Sequence, residues 1–148
     1  MKNFIFLLFL PALLFAQPAV KTVPNSHQSQ QILNTTINAG SATSDAVSIK
    51  YWSGAGTLFL YLNASGATQD LTVEFQLYDS QADQWFGYYS DSDDWTDLAT
   101  IGSAKLAGKY VYIDCGEITG WANADSIRFK FTFNEAINLT VQAWFGGQ

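Results

Sequence analysis

The segment DSQADQWFGYYSDSDDWTDL, Asp79 to Leu98, sets six carboxylates (Asp79, Asp83, Asp91, Asp93, Asp94, Asp97) among five aromatic rings (Trp85, Phe86, Tyr88, Tyr89, Trp95). Two kinds of ligand chemistry suit that mixture. Asp91, Asp93, Asp94 and Asp97 offer the clustered oxygens that a hard cation such as calcium gathers, which makes calcium the one cofactor candidate. Their spacing departs from the EF-hand loop: counting from Asp91, Thr96 stands where that loop needs Gly and Gly102 where it needs Glu. Alternatively, Trp85, Tyr88, Tyr89 and Trp95 present flat apolar faces beside hydrogen-bonding groups, the pairing that holds a sugar ring. The plainer alternative is turn plus core. Ser and Asp side chains bond to nearby backbone and favour turns, so the segment reads as a hairpin with QWFGYY and WTDLATIG as strands and SDSDD between them.

Catalytic furniture is sparse elsewhere, and no catalytic residue is assigned. The only histidine, His27, lies in a polar lead-in, away from any Ser or Cys nucleophile of the folded body. No nucleophile elbow, zinc-protease motif or phosphate-cradling loop occurs. Paired carboxylates for glycoside hydrolysis would have to come from the Asp79 to Leu98 cluster. The expectation is a protein that is not an enzyme.

The elements that must position these residues are strands. In LTVEFQLY, Leu71, Val73, Phe75 and Leu77 share one face and Thr72, Glu74, Gln76 and Tyr78 the other. SIRFKFTF repeats the pattern with Ile127, Phe129, Phe131 and Phe133 inward, and NLTVQAWF with Leu139, Val141, Ala143 and Phe145. ILNTTI, DAVSIKYW, TLFLYLNA and KYVYIDC add further strands, bounded by turn-forming residues. In TLFLYLNA the apolar residues fall on both faces, Leu58, Leu60 and Leu62 against Phe59 and Tyr61, as expected of a central strand covered on both sides. Trp52, Tyr78 and Trp144 sit on nominally polar faces, where exposure would make patches for a partner protein or polysaccharide. No helical stripe appears. The fold expected is all-β, a single antiparallel jelly-roll-like β-sandwich of about eight or nine strands, with a closed barrel as the structural alternative.

Upstream, MKNFIFLLFLPALLFA has the charged start, apolar stretch and small final residue of a secretory signal peptide over residues 1–16. Its apolar run is shorter than the ~20 residues of a spanning helix, and the mature chain should contain no membrane span. Gln17 to Gln31 reads as a flexible tether and residues 32–148 as the sandwich domain. Cys115 is the only cysteine, which excludes an intramolecular disulfide and leaves a buried thiol or an intermolecular bond. The Asn34, Asn63 and Asn138 triplets of N-x-[ST] type are chance products of Thr-rich strands.

The formal net charge of −6 disfavours nucleic acid as a partner. Between Tyr51 and Ala104 stand eight acids and no Lys or Arg, whereas Lys105, Lys109, Arg128 and Lys130 follow closely. Pairing across neighbouring strands, for instance of Glu74 with Arg128 or Lys130, explains part of this. Complementary ends meeting between molecules would explain it too.

The body from about Thr35 to Phe145, with ADSIRFKFTF followed by NLTVQAWF, resembles in architecture the β-sandwich modules of extracellular adhesins, carbohydrate-binding modules and virion surface proteins. That resemblance implies a fold and assigns no functional residue. The expected role is a secreted, extracellular or cell-surface module, with the periplasm as an alternative compartment, that self-assembles or adheres to another surface protein. The alternative is carbohydrate binding, with or without calcium, by the 79–98 hairpin, the partner then being an extracellular polysaccharide.

Overall fold

A computed structural model describes residues 29–50, 56–87, 94–116 and 124–147. Ten strands run through them: β1 (Gln30–Ile37), β2 (Gly40–Thr43), β3 (Val47–Ser48), β4 (Gly56–Asn63), β5 (Leu71–Asp79), β6 (Gln84–Phe86), β7 (Thr96–Ile101), β8 (Ala107–Asp114), β9 (Ser126–Phe133) and β10 (Leu139–Gly147). A short 3-10 turn, Ser103–Lys105, links β7 to β8, and no α-helix occurs among the described residues. The strands form two antiparallel sheets, one in the order β1-β10-β4-β8, the other built on β2-β9-β5. The expected jelly-roll-like β-sandwich is the fold observed.

Period-two alternation explains why these sheets face each other. Leu71, Val73 and Leu77 of β5, Ile127, Phe129, Phe131 and Phe133 of β9, and Leu139, Val141, Ala143 and Phe145 of β10 are all fully buried between the layers. Phe129 and Phe145 carry the contact from one sheet to the other, their ring centroids 5.0 Å apart at 54°. In β1 an extra residue between Gln31 and Leu33 makes a bulge, and it lets Ile32 and Leu33 both turn inward.

Three details depart from the sequence reading. Gly40–Thr43 is a strand although GSAT carries no apolar alternation; it is held by four register pairs with β9. QWFGYY and WTDLATIG do not pair as a hairpin among the described residues, because β6 and β7 lie end to end along the same side of β5. Finally, β4 is central in its sheet but covered on one side only, since Phe59 is 47 % exposed.

Carboxylates hold the loops. Glu135 accepts from the Thr68 and Gln69 amides at 2.8 and 3.0 Å and from the Thr68 hydroxyl at 3.0 Å, and these donors keep its carboxyl below the usual range. Asp125 ties together the ends of three segments, accepting from the Ser80 amide at 2.7 Å and from Lys50 at 2.9 Å. The Ser80 hydroxyl, then Lys50 and the Ser80 amide, lower its pKa to about 2. Cys115 is buried, and desolvation pushes its thiol up to about 12, so it stays protonated at neutral pH and the nucleophilic thiolate is not populated.

Two outcomes follow for stability. Phe131→Ala removes a fully buried ring from the centre of the core and should lower the unfolding free energy by about 3–5 kcal/mol, read by urea denaturation. The depressed Asp125 carboxyl stabilises the fold fully above its ordinary value of 3.8 and loses that contribution as pH falls towards about 2. Asp125→Asn should therefore be less stable than the parent at neutral pH, with the gap closing over that acidic window in pH-dependent thermal melts.

Candidate functional site

The two outer faces of the sandwich differ in what they leave free. On the second sheet, alternation directs Glu74, Gln76 and Tyr78 of β5 outward, opposite Lys130, Arg128 and Ser126 of β9 in register. Trp85 of β6 stands opposite Tyr78, ring centroids 5.2 Å apart. The Arg128 guanidinium lies 4.1 Å from the Trp85 ring centre and 5.2 Å from that of Trp95, while the Lys130 ammonium is 4.7 Å from Trp95. Rings and cations thus alternate across this face. Beneath them Gln76, only 1 % exposed, accepts from Arg128 Nε and Nη2 at 2.9 and 2.6 Å and donates to the Asp94 carbonyl at 2.9 Å. Lys130 also pairs with Glu74 at 2.7 Å, one of the two cross-strand pairings expected from sequence.

The structure therefore brings Trp85 and Trp95 together and gives each a cation on one ring face. Their partners from the sequence reading, Tyr88 and Tyr89, and the cation candidates Asp91 and Asp93, lie outside the described residues, as does Trp52. Asp94 offers its carbonyl to Gln76, and Asp97 sits on β7 opposite Glu74. Asp79 and Asp83 organise the β5–β6 turn: Asp79 Oδ1 accepts from the Gln81 and Ala82 amides, and Asp83 accepts from the Tyr78 hydroxyl at 2.6 Å. That bond raises the Tyr78 pKa. Among the described residues no group of three or more acidic, His or Cys side chains is arranged to hold a metal.

The first sheet presents a different surface. Burial of Leu58, Leu60 and Leu62 turns Phe59 and Tyr61 of β4 outward, and register places Tyr112 and Tyr110 of β8 opposite them. On the other side Trp144 and Gln142 of β10 stand opposite Phe59 and Tyr61. The result is two rows across the sheet, Trp144-Phe59-Tyr112 and Gln142-Tyr61-Tyr110, extended by Gln31 and Asn34 of β1. With strands ~4.8 Å apart and paired rows ~6.7 Å apart along them, the five rings tile a continuous patch. Tyr110 and Tyr112 are 81 % and 73 % exposed, the most open large apolar side chains described. Tyr61 and Tyr110 lean together at 5.0 Å, and Gln142 donates to Asn34 Oδ1 at 3.4 Å. At the β8 end a shallow hollow of about 490 Å³ is lined by Ala104, Lys105, Lys109, Tyr110, Val111 and Tyr112.

Sequence reasoning flagged Trp144 and missed Phe59, Tyr61, Tyr110 and Tyr112. The signal was available in TLFLYLNA and KYVYIDC, where rings occupy the parity opposite the aliphatic residues. What it could not give was whether a third layer covers them.

The fold and its open aromatic face define a jelly-roll-like β-sandwich module. No protein-family model matches the chain, and no match is found among curated proteins. Among solved structures, it aligns over 82% of its length with the Clostridium thermocellum endo-1,4-β-D-xylanase 10B CBM22-1 and GH10 modules complexed with xylohexaose, at 11% identity and a TM-score of 0.45. It aligns over 81% of its length with a structure of infectious bursal disease virus, Gx strain, at 12% identity and a TM-score of 0.41. In both cases it spans 29% of the other chain.

Arg128→Ala strips Trp85 of its cation, leaves Trp95 with Lys130 alone, and removes two donors from the buried Gln76 oxygen. A loss of about 1–3 kcal/mol of stability is expected, with Arg128→Lys restoring only part of it because an ammonium lacks the planar fork; chemical denaturation of the three proteins checks this.

Proposed function

We propose that the protein is a non-enzymatic module that binds a polysaccharide on the outer face of its first sheet. The observation that carries this reading is the exposure of Phe59, Tyr110 and Tyr112 on one open surface, in register with Tyr61 and Trp144. Soluble domains seldom leave such a patch open without a partner. A ring's face attracts the slightly positive C–H groups on the flat side of a pyranose, and tyrosine hydroxyls keep a polar tip for the sugar's own hydroxyls. The amides of Gln31, Asn34 and Gln142 supply both donors and acceptors at the margin, as hydroxyls require. No Leu, Ile, Val or Met is directed to this face by the four strands, so the patch is built of rings rather than of the mixed aliphatic surface of a protein interface core. Asp114 is the only carboxylate the strands direct there, opposite Thr57. A single carboxylate does not make the pair that glycoside hydrolysis uses, which supports binding without cleavage. The apolar leader of residues 1–16 supports a setting outside the cell, where polysaccharides are met.

A second reading, self-association, is favoured by the edge of the same sheet. Among the described residues β8 pairs only with β4, leaving one side of an eight-residue strand open to another chain. Gly108, at φ 65°, and the register shift opposite Asn63 distort the start of that strand, and Lys109 adds a charge to it. Such features blunt an edge, and they place this reading second.

The test is retention on a panel of soluble polysaccharides in native affinity gels. Tyr110→Ala/Tyr112→Ala should weaken binding by about tenfold or more, whereas Trp85→Ala/Trp95→Ala should leave it unchanged if folded. Loss confined to the tryptophan variant would move the site to the opposite sheet. No retention of the parent protein on any glycan, together with concentration-dependent growth in mass by light scattering, would replace this reading with self-association.

A further inference from the structure

The hollow at the β8 end of the platform has a charge that the rest of the molecule does not share. Five basic residues are described, and three are engaged: Lys50 with Asp125, Lys130 with Glu74, and Arg128 with Gln76. Lys105 and Lys109 have no ion pair or side-chain hydrogen bond among the described residues. Both line the same hollow, beside Tyr110 and Tyr112. Among the described residues no carboxylate lines it. On a chain of net charge −6, two unneutralised ammonium groups next to the most exposed rings form a local positive spot. It acts only at short range, since the acidic remainder of the surface is screened beyond ~8–10 Å in physiological salt.

We propose that this hollow is an anion subsite of the platform, and that the polysaccharide it serves carries acidic groups, either uronate carboxylates or sulfate esters. The inference rests on the glycan-binding reading and names its ligand class. Tyr110 and Tyr112 belong to both surfaces: their rings extend the platform and their flanks wall the hollow. Lys109 shares the parity of Val111 and stands in register with the buried Leu62, so it leaves β8 on the side away from the rings, and the hollow it lines lies along the open edge of the strand, beside a sugar stacked on either ring. Lysine suits this task because an ammonium pairs with an anion as a point charge, without the fixed planar geometry of an arginine fork. The 3-10 turn that holds Lys105 is anchored by Asp70, whose Oδ1 accepts from the Ser103 amide at 2.9 Å, so the backbone from which that side chain extends is set by the fold. If the two lysines served only to blunt the β8 edge, no preference for anionic glycans would depend on them.

Affinity electrophoresis of the purified protein and of Lys105→Gln/Lys109→Gln tests this with four named probes: polygalacturonate, dextran sulfate, uncharged hydroxyethyl cellulose and polyglutamate. The parent should be retained about tenfold more strongly by polygalacturonate or dextran sulfate than by hydroxyethyl cellulose, and 0.3 M salt should reduce that advantage. Which of the two anionic glycans binds tells carboxylate from sulfate. The double lysine variant should lose the advantage while keeping its retention on hydroxyethyl cellulose. Both side chains are exposed, and an unchanged thermal midpoint confirms that the variant is folded. An advantage that survives the substitutions, or polyglutamate bound as strongly as the anionic glycans, overturns the subsite. Equal retention of all three glycans overturns it too and leaves glycan binding standing. Retention of none of them defeats the glycan-binding reading itself.

Discussion

Successive side chains on a strand must point to opposite faces, and in β4 that rule leaves no freedom. Burying Leu58, Leu60 and Leu62 between the sheets forces Phe59 and Tyr61 to the outside, and the antiparallel register then sets Tyr112, Tyr110, Trp144 and Gln142 around them. A one-residue slip of β4 would put three leucines into water. The core therefore holds the platform in place, and each ring's position is a consequence of hydrophobic burial on the far side of its own strand.

The same logic gives the opposite sheet a different outcome. Trp85 and Trp95 also come from strands or strand ends on an outer face, but their neighbours in β9 are Arg128 and Lys130, and rings and cations occupy each other. Gln76 sits under this arrangement and ties the backbone at Asp94 to the sheet. That face keeps its rings within the protein. On the first sheet no Lys or Arg stands opposite Phe59, Tyr61 or Trp144; Tyr61 and Trp144 are half-buried, and Phe59, Tyr110 and Tyr112 remain exposed.

Much of this fold was legible in the residues. LTVEFQLY, SIRFKFTF and NLTVQAWF each carry one apolar face and one polar face, so the buried apolar side chains could be assigned one by one and Glu74 could be given Arg128 or Lys130 as its partner; that Gln76, on the polar face, is buried under Arg128 was not legible. The site was not legible to the same degree. TLFLYLNA, with apolar residues at both parities, looks the same whether its second face is covered by another layer or open, because alternation reports polarity and not what lies above a sheet. GSAT escaped notice because its pairing with β9 is made by backbone, and small side chains leave no periodic trace. The 79–98 segment drew attention by composition, yet the pairing of β6 and β7 with β5 depends on long-range register that local spacing does not encode.

The central claim is that ligand binding belongs to the face of Phe59, Tyr61, Tyr110, Tyr112 and Trp144. Its most direct test is NMR of the protein titrated with soluble oligosaccharides, cellohexaose and an oligogalacturonate, following the aromatic side-chain resonances. Shifts are expected at Phe59, Tyr110, Tyr112 and Trp144, with Trp85 and Trp95 unmoved. Shifts confined to Trp85 and Trp95, or none at any ring with either sugar, would contradict it.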